Sequence, residues 1–314
     1  MSPDVTILIH SDLDGMVSGI LLLKTTHKDA TLRIVSGESL AKEIGALANR
    51  TDPPSDIFIA DIPLVSRDSA AFMDSVATLK KRGCKVHVYD HHRGWEAAQP
   101  VGLFDTFVVD VNKTTAAAVV WRERLRGDCS SQEWLRLLAE KEKSNDPRIV
   151  ERFGLLAALS QPMHRAHVEA ALRAMASGGK LSSEQEAMSR WYFEVHVPKE
   201  REIAANAEIV ATRHGRKLAW IDLRGWQERF IVSRYAAEMH GADAVATVIP
   251  GGVLVGGMSI DQGVDLSFLH GEHNLGDQRI SVIGHKSPVR ISPIGGKVTE
   301  SFVAAVRQFI LDQL

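Results

Sequence analysis

The chain has 314 residues, 45% of them hydrophobic and 24% charged, with a net charge of −2. A near-neutral balance excludes a global footprint for duplex DNA or for an anionic membrane surface, and the ordinary apolar content excludes a disordered chain. The only cysteines are Cys84 and Cys129, neither in a CxxC pair, which excludes a disulfide framework and a thiolate zinc site.

The start of the chain, MSPDVTILIHSD, lacks the basic region and long apolar core of a signal peptide. No apolar run approaches the roughly 18 residues of a membrane span. The expected compartment is the cytoplasm, and the length suggests about two domains.

In chain order, VTILI (Val5 to Ile9) is a continuous apolar run, and GMVSGILLLKTTH follows with helical spacing. TLRIVS, helical ESLAKEIGALANR, DIFIAD, helical SRDSAAFMDSVATLKKRG and CKVHVYD come next. FDTFVVD reads as a further strand and TTAAAVVWRERLRG as its helix. Continuous apolar strands alternating with helices predict βαβ units, hence an α/β fold with a parallel sheet covered on both faces.

From about Ser130 the pattern turns helical: SQEWLRLLAEKEK, PRIVERFGLLAALS, HRAHVEAALRAMAS, and one long helical stretch from Ser182 to His214 that Pro198 breaks or kinks. A second, smaller α/β unit begins near Gly215. KLAWIDL, ADAVATVI, VLVGGMSI, QRISVIG and PVRISPIGG read as its strands, with helices over QERFIVSRYAAEMH and VTESFVAAVRQFILDQL. HGEHNLGDQR, with His270 and His273, reads as a turn of no catalytic consequence. The expected division is 1–190 for a catalytic domain with a helical extension, 191–214 for a linker helix and 215–314 for a substrate domain.

Ligands of an open parallel sheet bind beyond the carboxyl ends of its strands, and the acidic residues collect there. Asp12 and Asp14 follow the first strand inside HSDLDG, Asp61 ends DIFIAD, Asp90 ends CKVHVYD before His91 and His92, and Asp110 ends FDTFVVD. A helix cap explains one carboxylate per helix, not a His-x-Asp-x-Asp run together with Asp-His-His. Carboxylates gathered at one edge raise each other's pKa unless a cation holds them. Oxygen and imidazole donors suit Mn²⁺, Mg²⁺ or Fe²⁺. A calcium EF-hand loop is rejected: its twelfth position would be Leu21 instead of a bidentate Glu, and the segment follows a strand.

H-x-D-x-D-G after the first strand, a strand-end Asp61 and DHH at Asp90 to His92 together resemble the DHH phosphoesterase superfamily, with a DHH-associated C-terminal domain. The similarity extends to VIGHKSPVRISPIGG, where Gly284 and His285 fit the glycine-histidine turn of that domain while Pro288, Val289 and Arg290 depart from its small residues. The resemblance implies two divalent ions, Mn²⁺ first. One would be held by His10, Asp12 and Asp61, the other by Asp14, Asp61, His91 and a further aspartate. Asp146 in KSNDPRI fits that further aspartate, with Asp110 as the fallback and a plain helix cap as the competing reading of Asp146.

His92 would then touch the scissile phosphate, and Asp90 would orient an imidazole from behind. Thr114 and Thr115 in NKTTAAA lie near substrate or cap a helix. His285, Lys286 and Arg290 would hold a phosphate or base. The implied activity is hydrolysis of short oligonucleotides, cyclic dinucleotides or phosphoadenosine phosphate by water activated between two metals, and the chain length favours such small substrates. A polyphosphatase or pyrophosphatase ranks lower, since no basic R-K-K-like stretch follows residue 215. A metal-free nucleic-acid-binding module is the reading from another class, and homodimerisation stays open.

Overall fold

A computed structural model describes residues 4–26, 29–65, 68–98, 102–113, 115–179, 181–225, 229–257, 266, 269, 271–275, 277–284 and 289–314. The chain divides into two compact units, residues 1–192 and 193–314. Among the described residues no helix is long and apolar enough to cross a membrane.

The first unit is built from the expected alternation: β1 (Val5–Ile9), α1 (Leu13–Thr25), β2 (Thr31–Ile34), α2 (Gly37–Ala48), β3 (Asp56–Ala60), α3 (Ser69–Lys81), β4 (Lys85–Asp90), β5 (Thr106–Val109) and α4 (Ala116–Arg124). The strands form one all-parallel sheet in the order β2-β1-β3-β4-β5. The apolar runs of the central strands explain this placement, because a parallel strand is buried on both faces. On one face Leu8, Ile57, Ile59, Val86 and Val88 pack with Leu40, Ile44, Phe72 and Val76 of α2 and α3 and with Trp95. α1 buries Met16 to Leu22 on the other side of β1 and packs with α4. Each fully buried Leu, Ile or Phe contributes about 1.5–3 kcal/mol to holding this layer together.

Four more helices complete the unit: α5 (Cys129–Glu140), α6 (Pro147–Leu159), α7 (Val168–Ala176) and α8 (Ser183–Trp191). α8 begins in a capping box between Ser182 and Gln185.

The stretch expected to be helical up to His214 is corrected. After α8 the chain makes a π-helical turn at Tyr192–His196, resumes as α9 (Val197–Ala205) with Pro198 in its first turn, and then becomes strand β6 (Glu208–Ala211). Proline lacks the N–H that a continuing helix needs, which fits the ladder being interrupted one turn earlier. Ile209 and Val210 favour an extended chain, and Gly215, at φ 76°, supplies the left-handed residue that folds β6 back onto its neighbour.

The second unit continues with β7 (Lys217–Asp222), α10 (Arg229–His240), β8 (Ala244–Ile249), β9 (Gly252–Gly257), β10 (Gly271–Leu275), β11 (Gln278–Gly284), β12 (Val289–Pro293) and α11 (Glu300–Gln313). Among the described residues, seven strands run in the order β10-β11-β12-β9-β8-β7-β6, with only β7 and β8 paired in parallel. α11 covers one face through Phe302, Val306 and Ile310, and α9 and α10 cover the other through Ala204, Val232 and Ala236. The turn read over HGEHNLGDQR is also corrected. Residues 271–275 are an edge strand paired antiparallel with β11, with Glu272 opposite Ser281 and its carboxylate meeting Arg279 on the diagonal. His273 donates through Nε2 to the Leu269 carbonyl, 2.8 Å away. His270 lies outside the described residues.

Candidate metal centre

The carboxyl ends of β1, β3 and β4 bring the first three motifs together. Asp12 sits just past β1 as the N-cap of α1, accepting from Gly15 N at 3.0 Å. Its other oxygen meets His10 Nδ1 at 2.9 Å. The tight His10 to Gly15 turn requires glycine: a Cβ on Gly15 would stand 2.5 Å from the His10 carbonyl oxygen.

Asp61 follows β3 with a positive φ of 59°. Only Lys141 shares a positive φ among the described non-glycine residues. Such a backbone costs about 1–3 kcal/mol and marks sites where side-chain placement is constrained. The Asp61 side chain is nearly inaccessible, and its Oδ2 is buried without a hydrogen-bond partner. His91 Nε2 lies 3.3 Å from Asp61 Oδ1 and 3.6 Å from Asp14 Oδ2.

Asp90 ends β4 fully buried. Its Oδ1 accepts from His91 N, His92 N and His92 Nδ1 at 2.7, 2.8 and 2.7 Å, and its Oδ2 accepts from Ile62 N at 2.8 Å. Asp90 therefore locks both histidines and the residue after Asp61 into one arrangement. His92, held through Nδ1, leaves Nε2 as its free nitrogen.

Burial is the largest influence on Asp61, and the nearby charges of Asp12, Asp14 and Asp90 add to it, so its carboxyl is pushed up to about 12. Burial likewise raises Asp14 against the opposing amide bonds of Ala117 and Ala116. Desolvation pushes Asp12 up, but the hydrogen bond and charge of His10, with Asp61 and Gly15, outweigh it and hold Asp12 well below the usual carboxylate range. Burial pulls His10 down, and the hydrogen bond and charge of Asp12 more than restore it, leaving His10 raised. Among the described residues, two groups of three offer ligand atoms within 4.8 Å of one another: His10, Asp12 and Asp61, and Asp61, His91 and His92. The shared Asp61, its orphaned oxygen and the hard oxygen and imidazole donors fit a divalent cation.

Asp14 makes contacts the sequence did not signal. Both of its oxygens accept from the first amides of α4, Ala116 N at 2.7 Å and Ala117 N at 2.9 Å. Asp146 is not in either group. It caps α6, accepting from Arg148 N at 3.0 Å, and pairs with Arg148 and Arg136. Asp110 also stands outside both groups, bonded to Arg122 Nη1 at 2.6 Å. Thr115 caps α4, accepting from Ala118 N, and Thr114 lies outside the described residues.

In the second unit Gly284 ends β11 opposite Val289, and His285 and Lys286 lie outside the described residues. Arg290 donates through Nη2 to the Gly251 carbonyl at 3.2 Å, while its Nε is buried without a partner.

No protein-family model and no curated protein matches the chain. Solved structures do. A DHH domain described as a member of a family of ribosomal proteins matches at TM-score 0.62 and 16% identity, over 98% of this chain and 87% of that one. RecJ of Thermus thermophilus, in complex with Mn²⁺, matches at TM-score 0.56 and 15% identity over 98% of this chain and 52% of that one. The pGpG-specific phosphodiesterase PggH of Vibrio cholerae matches at TM-score 0.51 and 14% identity, over 99% and 98%. With the strand-end His and Asp residues placed as described, the chain has the fold of the DHH phosphoesterase superfamily.

Proposed function

We propose that this chain is a metal-dependent phosphodiesterase acting on short oligonucleotides or cyclic dinucleotides. The carrying observation is the convergence of His10, Asp12, Asp61, His91 and His92 around a buried, unpartnered Asp61 oxygen at the ends of parallel strands. The fold shared with RecJ and with a pGpG phosphodiesterase supports phosphodiester chemistry.

His10, Asp12 and Asp61 would hold one divalent cation, and Asp61, His91 and Asp14 a second, with Mn²⁺ the first candidate. Cations bound there supply Lewis-acid polarisation of the phosphoryl oxygen and acidify water for attack. The remaining steps belong to side chains. Asp90 accepts from His92 Nδ1, so the imidazole is fixed in orientation and Nε2 is the nitrogen that gives or takes a proton at the substrate. Asp90 also holds the His91 main chain, keeping the two rings 4.5 Å apart at 61° and presented to the same space. In the second unit, Arg290 is the cation proposed for phosphate recognition, with its Nη2 anchored at the Gly251 carbonyl.

The test is hydrolysis. Metal-free protein supplied with Mn²⁺ should cleave dinucleotides, short RNA or cyclic dinucleotides, and Asp61→Ala should abolish it. Failure on all of these, with ligand binding retained by Asp61→Ala, would leave the binding-module reading in its place.

A further inference from the structure

The strand-end carboxylate of Asp110 organises a turn instead of facing the metal centre. Its Oδ1 accepts from Asn112 N at 3.2 Å and its carbonyl accepts from Lys113 N at 2.9 Å. Its Oδ2 takes the Arg122 guanidinium of α4 at 2.6 Å, and Asp110 N donates to the Asp90 carbonyl at 3.0 Å. The turn so closed presents the Lys113 carbonyl to His91 Nδ1, 3.3 Å away. The helix that follows presents its first two amides to Asp14. The turn at residues 110–113 and the first amides of α4 thus grip two residues of the centre from behind.

A carbonyl can only accept, so His91 Nδ1 carries the proton. In the neutral imidazole the lone pair is then on Nε2, the atom facing Asp61 and Asp14. That tautomer is the one in which Nε2 can bind a cation, and the partner of the opposite nitrogen sets it.

We propose that Asp110 and Arg122 are positioning residues: their ion pair clamps the turn at residues 110–113 to α4 so that His91 is held as the Nδ1–H tautomer with Nε2 aimed into the centre. What the centre binds rests on the reading above; the clamp itself does not.

Two variants separate the parts. Asp110→Ala removes the ion pair and the side-chain bond that closes the turn at Asn112 N, whereas Arg122→Met removes the ion pair, together with the Arg122 bond to Glu123, and leaves the turn's own bonds in place. Long-range ¹H–¹⁵N spectra of the metal-free protein read the tautomer, with His91→Asn identifying the signal. Wild type should show a proton on Nδ1, and both variants should shift toward a mixture, Asp110→Ala further. Titration with Mn²⁺ alone should show affinity reduced about 10–100-fold in Asp110→Ala and less in Arg122→Met. Should Asp110→Ala fail to fold, Arg122→Met decides. Unchanged His91 signals and unchanged Mn²⁺ affinity would overturn the proposal. A wild-type protein that bound no Mn²⁺ would sink the phosphodiesterase reading, while the tautomer comparison would still judge the clamp.

Discussion

Asp61 Oδ1 lies 3.3 Å from His91 Nε2, and the chain puts it there through a backbone that non-glycine residues rarely adopt. The same placement buries the carboxyl so deeply that it holds its proton up to about 12. The unfolded chain gives up that proton near the ordinary value of about 3.9. Across the neutral range the folded state therefore binds more protons at this position, and stability falls as pH rises. Asp14 and His10, both raised, act in the same direction, while His87 and His164, both lowered by burial, act in the opposite one. The midpoint of thermal unfolding of chelator-treated protein should decline between about pH 5 and pH 8, and the decline should be shallower in Asp61→Asn. Parallel profiles for the two proteins would contradict this assignment.

His92 makes its Nδ1 bond to Asp90 and keeps Nε2 free. As a proton carrier it should affect turnover and not metal loading. His92→Ala is expected to lower kcat by about 10²–10⁴-fold, with Mn²⁺ affinity measured by calorimetry left as in wild type. A large loss of affinity would make His92 a ligand instead, as its place beside Asp61 and His91 allows.

Asp146 caps α6 and is paired with arginines. Replacing it with alanine should cost about 1 kcal/mol of stability, the usual effect of losing an N-cap, and leave Mn²⁺ affinity unchanged. A tenfold or greater loss of affinity would be the mark of a residue that touches the metal or its ligands.

Gly15 is confined by the His10 backbone, which a Cβ would meet at 2.5 Å at the carbonyl oxygen and 2.8 Å at the nitrogen. Neither atom belongs to a flexible side-chain end, so the turn itself must shift. Gly15→Ala should lose about 1–3 kcal/mol of stability and weaken Mn²⁺ binding, because the same turn sets His10 against Asp12. Unfolding curves and calorimetry on one preparation check both.

The parallel sheet of the first unit was legible because its strands are short continuous apolar runs, a pattern that only two-sided burial explains. The grouping of Asp12, Asp61 and the Asp90–His92 run could be anticipated because each falls at a strand end. What could not be read was which carboxylates are already engaged. Asp110, Asp146 and Asp14 look alike in sequence, yet arginines occupy the first two, and the third is shared with amides more than a hundred residues away. The Asp110-x-Asn112 spacing was an available hint of a side-chain turn. β6 and β10 were missed for another reason. Both are short, exposed edge strands defined by their neighbours, so their own residues carry little alternation.

Position 61 also bears on how the chain would change under selection for stability alone. Glycine occupies a left-handed backbone without steric cost, and at 61 it would remove the buried acid as well. Drift under such selection would favour Asp61→Gly, giving a protein more robust than its parent and without the carboxylate proposed to hold the cations. On the reading proposed above, aspartate at a place where the backbone prefers glycine trades robustness for cation binding at a single residue.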